Sequence, residues 1–326
     1  MPAAEFDTAH LKVSRAAYHS QDLAHIWNEY LEPHPFDHAL LSTGYGEWTL
    51  RVSQASPVPP ELSIVFGEWL FELRSALDSL LWATAVHMSR QDPPPAESQL
   101  QYPIYDSREA WEANLRRLRP LADHQRSMLL QMQPFSSPNP DTNFLGWINR
   151  LARIDRHRRM TVATARVAVM EPVVEVDGAH EAHLDWGERV FRDGYCDLFR
   201  IRVDNPAASI RENPRMGIDP DIEDWSASPF WAEQRFSDRV RMLQTFVRAE
   251  VALYEYDCTG ESRGWDAIAD GFRAESDSRR AELAFVPIAR QPRPEIAWVP
   301  AGSRRPSTPE RLAGLDFPSH GSGPAM

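Results

Sequence analysis

Leu70-Phe-Glu-Leu-Arg-Ser-Ala-Leu-Asp-Ser-Leu-Leu-Trp82 decides the reading of the fold, because it places two charges on the apolar side of a helix. At about 100° per residue, Glu68, Glu72, Ser75 and Ser79 gather on one polar stripe. Arg74 and Asp78 fall roughly a third of a turn away, flanked by Phe71, Leu81, Trp82 and Ala85. A charge on an apolar face is costly to desolvate without a partner, so this helix requires a charged neighbour.

A second helix offers one. Within Phe144-Leu-Gly-Trp-Ile-Asn-Arg-Leu-Ala-Arg-Ile-Asp-Arg-His-Arg-Arg159, the apolar face holds Phe144, Trp147, Ile148, Leu151 and Ile154. Asp155 lies in the middle of that face and Arg158 at its edge, while Arg150, Arg153, Arg156 and His157 point the other way. The economical arrangement sets Arg74 opposite Asp155 and Asp78 near Arg158. Arginine before aspartate at i,i+4 is the weaker local orientation, which argues against Arg74 and Asp78 satisfying only each other. Such a set either fixes helix register as a buried ionic network or forms a rigid binding or catalytic site in a bundle core.

The outward arginines Arg150, Arg153, Arg156, Arg158, Arg159 and Arg166 make a basic face, with Arg116, Arg117 and Arg119 nearby in sequence. Guanidinium groups receive phosphate bidentately, so the face suits an anionic or RNA-like ligand. The ordinary alternative is a solvated face paired with acids such as Glu68 and Glu72.

Working outward, residues 8–31 carry helical spacing through Val13, Ala16, Leu23, Trp27 and Leu31. A hairpin follows, turning at Gly44-Tyr-Gly46, with Trp48, Leu50 and Val52 alternating on the return strand. The charged helix spans about 61–88 and ends before Pro93-Pro-Pro95. Ser107 caps a helix to about Leu118, Pro120 starts another to Gln131, and the second long helix runs about 143–163. From Thr164 the period changes to two, with Asp193-Gly194 as a hairpin turn. Residues 206–229 read as loop and 230–256 as a third long amphipathic helix.

The composition is that of a globular chain of 326 residues: 42% hydrophobic, 25% charged, net charge −12. An acidic balance argues against non-specific coating of nucleic acid, which needs clustered cations. Lys12 is the single lysine, so the positive charge is nearly all arginine. Cys196 and Cys258 have neither metal-type nor disulfide-framework spacing, no apolar run reaches the ~20 residues of a membrane span, and the N-terminus lacks a signal-peptide pattern. A cytoplasmic location is the expectation. His34-x3-His38 and His180-x2-His183 lack a third ligand, so no metal is expected, and no P-loop, dinucleotide fingerprint or nucleophile elbow points to a cofactor. His87 reads as a packed core histidine beside Trp69, Leu73 and Leu80.

At the two charged helices, Glu72-Leu-Arg-Ser-Ala-Leu-Asp-Ser79 and Asp155-Arg-His-Arg158, with Tyr102-Pro-Ile104 and Gln133-Pro-Phe135, the chain resembles an actinobacterial-type family of uncharacterised bacterial proteins. The resemblance covers roughly residues 10–260 and implies no activity. More distantly, the Arg-x4-His pattern resembles the HEPN superfamily, which includes metal-independent ribonucleases. Arg74 matches its arginine, Ser79 stands where its histidine would be, and Arg150-x6-His157 meets a looser form. Serine cannot exchange a proton at neutral pH, so this departure implies weakened or lost catalysis.

The expected architecture is α+β and mostly helical: a single helical-bundle domain over 1–284, carrying a small antiparallel sheet (about 164–204) before the last long helix. Residues 285–326, rich in Pro, Arg and Gly, are expected to be a disordered tail. The expected function is non-catalytic binding of an anionic or RNA-like ligand through Arg74, Asp78, Asp155, Arg158 and Arg153. The alternatives are a metal-independent HEPN-like endoribonuclease using His157, Arg74 and Arg150, or a protein whose ionic network is only structural.

Overall fold

A computed structural model describes residues 4–157, 163–222, 225, 228–232, 234–261, 263 and 299–300. Of these, only the backbone is described for 154–157, 163 and 299–300. The fold is α+β and mostly helical. Helices α1 (Asp7–Leu31) and α2 (Pro60–Ser89) pack along their length, and the hairpin β1 (Phe36–Gly44) and β2 (Glu47–Gln54) lies between them in sequence. Tyr45 and Gly46 both have positive φ at the hairpin turn, as its sequence requires. Gln54 and Tyr30 tie the hairpin to α1: the Gln54 amide donates to the Tyr30 hydroxyl, which donates to the Ser56 carbonyl.

Short helices α3 (Arg108–Asn114) and α4 (Asp123–Gln131) follow, and α3 runs into a 3-10 turn over Leu115–Leu118. Ser107 does cap α3, accepting from the Ala110 amide at 3.2 Å. Pro120, by contrast, lies before α4 rather than in its first turn, and the Gln125 carboxamide accepts from the Ala122 amide there. Helix α5 (Phe144–His157) packs on α2, so the two charged helices are neighbours as expected. The expected helical end at 163 is not reached, since the chain is already extended at Ala163.

The strands after α5 are β3 (Ala163–Met170), β4 (Val173–Asp177), β5 (Ala182–Trp186), β6 (Tyr195–Val203), β7 (Ser209–Asn213) and β8 (Met216–Ile222). They do not form one inserted sheet. Strands β5 and β6 extend the N-terminal hairpin into the order β1-β2-β6-β5, β3 pairs with β8, and β4 pairs with β7. Asp193 and Gly194 form the expected turn with positive φ at both residues, closed by an antiparallel bridge between Arg192 and Tyr195, while Val167 and Phe191 also hydrogen-bond the incoming segment to β3. Strands β7 and β8 correct the loop reading of 206–229. Pro220 hid β8 from period-two reading, but a proline sits in a strand at the edge of a two-stranded sheet without losing a needed donor.

The last helical stretch is likewise in two pieces, α6 (Pro229–Ala232) and α7 (Phe236–Thr259), with Arg235 in extended backbone between them. Of the proposed tail, Val299–Pro300 (β9) pairs in parallel with β4 at Glu175 and Val176, and the rest lies outside the described residues.

Helix α7 packs on α2 and α1, which places α2 at the centre. Around it lies an aromatic core of Phe66, Trp69, Trp225, Trp231 and Phe236, with ring centroids 5.3–6.4 Å apart in neighbouring pairs. Gly187 shows how tightly the sheet side is built. A Cβ there would overlap the Asp197 carbonyl oxygen, while the Gly187 amide donates to Leu198 at 2.8 Å. Gly187→Ala is therefore expected to cost ~1–3 kcal/mol or more through overpacking against backbone that cannot yield. Urea unfolding checks this, and an unchanged midpoint would contradict it.

Candidate functional site

Arg74 is buried, and its geometry settles several expectations. Its guanidinium lies 3.3 Å from Asp78 and donates to the Tyr102 carbonyl at 2.8 Å. Asp78 in turn accepts from the Tyr102 amide at 2.9 Å. The i,i+4 pair thus works in its less favourable orientation because the Tyr102 peptide is clamped between the two side chains, donor to one and acceptor from the other. The proposed pairings with Asp155 and Arg158 lie outside the described residues, as do the side chains of Arg156 and His157. Phe71 does not flank the pair in the core but is 52% exposed.

From Tyr102 the network reaches α7. The Tyr102 hydroxyl donates to Glu250 at 2.8 Å, and both groups are buried. Burial raises the Glu250 carboxyl to about 7 despite the hydrogen bond, and burial likewise raises the Tyr102 phenol, with the Glu250 charge adding to it. Such shifts suit acid–base chemistry in a cleft. Here the carboxyl is enclosed, so the arrangement is a brace between α2, the Tyr102 segment and α7.

A second buried network was missed. Asp219 and Asp221 alternate along β8 and so share one face, and Arg235 and Arg239 are one helical turn apart at the start of α7. They pair rung by rung: Arg235 to Asp219 at 2.7 Å and Arg239 to Asp221 at 2.7 Å, the latter pair 1% exposed on both sides. Burial pulls the Arg239 guanidinium down while Asp221 opposes it. Arg166, opposite Asp219 in the β3–β8 register, is buried and donates to the Ala232 carbonyl. It therefore does not belong to the exposed basic face, because strand alternation turns it inward.

The polar stripe of α2 is covered by α1. Lys12 donates to Ser75 at 2.6 Å and Ser79 at 2.8 Å. Ser79 is thus held by an ammonium rather than presented to a phosphate. Glu68 and Glu72, proposed as partners of the arginine face, line a groove of about 540 Å³ with Arg15, His19, Ile64 and Phe71. Its mixed charge does not select an anion. His87 is half-buried and bonds Glu5 at 2.8 Å, so it is a bridge to the N-terminal segment rather than a core histidine.

Arg150 and Arg153 stand exposed on α5, with Arg150 5.0 Å from the centroid of the Trp147 ring. Among the described residues no group of three metal-ligating side chains occurs, and burial pushes both cysteine thiols up to about 12, so neither is an activated nucleophile. No helix is long and apolar enough to cross a membrane, among the described residues. Comparisons with protein-family models, curated proteins and solved structures found no match.

Proposed function

We propose that the chain is a non-catalytic binding protein that takes an anionic, RNA-like ligand on the arginine face of α5. One observation carries the reading. Arg150 and Arg153 have no carboxylate within ion-pair distance among the described residues, whereas Arg51, Arg74, Arg126, Arg202, Arg235, Arg239 and Arg241 each have one. A guanidinium without an internal carboxylate can meet phosphate without first breaking an ion pair. The two residues, three apart, lie on one helical face, and the Trp147 ring supports one of them. The sequence continues the face with Arg156 and Arg158. In this reading Arg74 and Asp78 hold α2 and Tyr102 in register and do not touch the ligand. A cytoplasmic location belongs to the same proposal, supported by the two unpaired thiols Cys196 and Cys258.

The endoribonuclease alternative would need Arg74 beside a scissile phosphate together with His157. A buried Arg74 already engaged by Asp78 and the Tyr102 carbonyl speaks against it. Fluorescence anisotropy with a labelled single-stranded RNA tests the preferred reading. The double variant Arg150→Ala/Arg153→Ala is expected to bind at least ~10-fold more weakly, with the slope of log affinity against log salt reduced by about 1.4, from two lost phosphate contacts. RNA should stay intact in EDTA. Absence of binding, or binding indifferent to both substitutions, would refute the proposal.

A further inference from the structure

The 3-10 turn Leu115–Leu118 carries Arg116 and Arg117, and Arg119 follows directly at its C-terminal end. In an acidic protein they would be expected to find carboxylates. None has a side-chain hydrogen bond or an ion pair among the described residues, and the Arg117 Nε is buried with no partner. The reason two of them converge is geometric. A 3-10 helix has three residues per turn, so side chains three apart eclipse, and its rise of ~2 Å per residue sets Arg116 and Arg119 about 6 Å apart along the axis. Arg119 keeps helical dihedrals (φ −56°, ψ −32°), so the eclipse extends to it.

Both line one groove of about 490 Å³ with Pro95, Ala96, Gln99 and Pro120. Ala96 is held in the left-handed region (φ 62°), a conformation that costs energy for alanine and recurs at ligand-binding loops. The groove thus has two guanidinium forks, one carboxamide and otherwise apolar walls. Its volume falls within the usual range for small-molecule sites.

We infer that this groove is a binding site for a small organic phosphate, with Arg116 and Arg119 clamping the phosphate and Pro95, Ala96 and Pro120 receiving an apolar body. Two like charges held side by side without counter-charges repel each other, and a phosphate dianion between them reverses that repulsion. Gln99 can hydrogen-bond either a phosphate oxygen or a polar group on the body. The site shares no residue with the α5 face and stands whether or not that face binds RNA.

Isothermal titration with phenyl phosphate, inorganic phosphate and phenol tests it. Phenyl phosphate should bind saturably at one site, at least ~10-fold more tightly than inorganic phosphate, with phenol showing no saturation. Arg116→Ala and Arg119→Ala should each weaken phenyl phosphate at least ~10-fold at unchanged melting temperature, since both positions are exposed. Arg119→Glu should abolish binding, and Arg150→Ala/Arg153→Ala should leave it intact, which separates this site from the α5 proposal. No saturable binding of phenyl phosphate, or binding unchanged in the Arg116 and Arg119 variants, would overturn the site. Equal affinity for inorganic phosphate would overturn the organic body.

Discussion

Asp221→Ala is expected to destabilise the protein by ~3–5 kcal/mol, because it takes the carboxylate away from the Arg239 guanidinium where water cannot reach it. Against a typical total stability of ~5–15 kcal/mol, that loss takes a large share of the whole. The contact itself is worth far less than this cost. Its strength in isolation is largely spent on desolvating both partners, so the penalty comes from removing the carboxylate that faces a buried guanidinium, which the neutral Gln234 carbonyl does not replace. A matched apolar pair such as Asp221→Leu/Arg239→Met should therefore recover most of the loss. Denaturant unfolding of the wild type, the single variant and the double variant distinguishes these cases. A single-variant cost below ~1 kcal/mol would show that Arg239 finds another partner or reaches solvent.

That network also marks the limit of what sequence alone conveyed. The neighbourly packing of α2 and α5 follows from their apolar stripes, and the hairpin turns follow from Tyr45-Gly46 and Asp193-Gly194, because helical and turn periodicities are local properties. The Asp219/Asp221 ladder is not local. Its acids sit in a strand interrupted by Pro220, its bases on a helix whose first turn reads as polar surface, and only the close approach of β8 and α7 makes them a pair. One signal was present: acids at i,i+2 followed by arginines at i,i+4 match the periods of a strand and a helix laid face to face. Arg74 erred in the opposite direction. Its burial was readable from the helical wheel, but its partner was not, since the Tyr102 peptide carries no sequence signature of its own. Backbone groups outnumber side chains as hydrogen-bond partners, so a buried charge need not imply a distant countercharge. The exposed arginines show the converse. Arg150 and Arg153 behave as the wheel predicts, while Arg166, read as part of the same basic run, turns inward once the chain becomes a strand.

Glu250→Gln is expected to flatten the pH dependence of stability and to stabilise the protein in alkaline solution. The folded carboxyl titrates at about 7, above its ordinary value of 4.5, so the folded state holds this proton more tightly than the unfolded chain does. Its contribution is therefore fully present below about pH 4.5 and is lost as pH rises through 7. A displacement of that size corresponds to on the order of 3 kcal/mol. Above that range the wild type must keep a carboxylate buried, with the Tyr102 hydroxyl donating to it and Arg74 beyond it across the same residue. Glutamine preserves the shape and can still accept from Tyr102, yet never becomes charged. The stability difference between variant and wild type should accordingly be smallest below about pH 4.5 and grow to a few kcal/mol in favour of glutamine by pH 8, reading other titrations out because they are common to both chains. Urea melts at half-unit steps measure it. Parallel curves would show that the carboxyl is ionised throughout, and that water or a further cation reaches Glu250 inside the brace between α2 and α7.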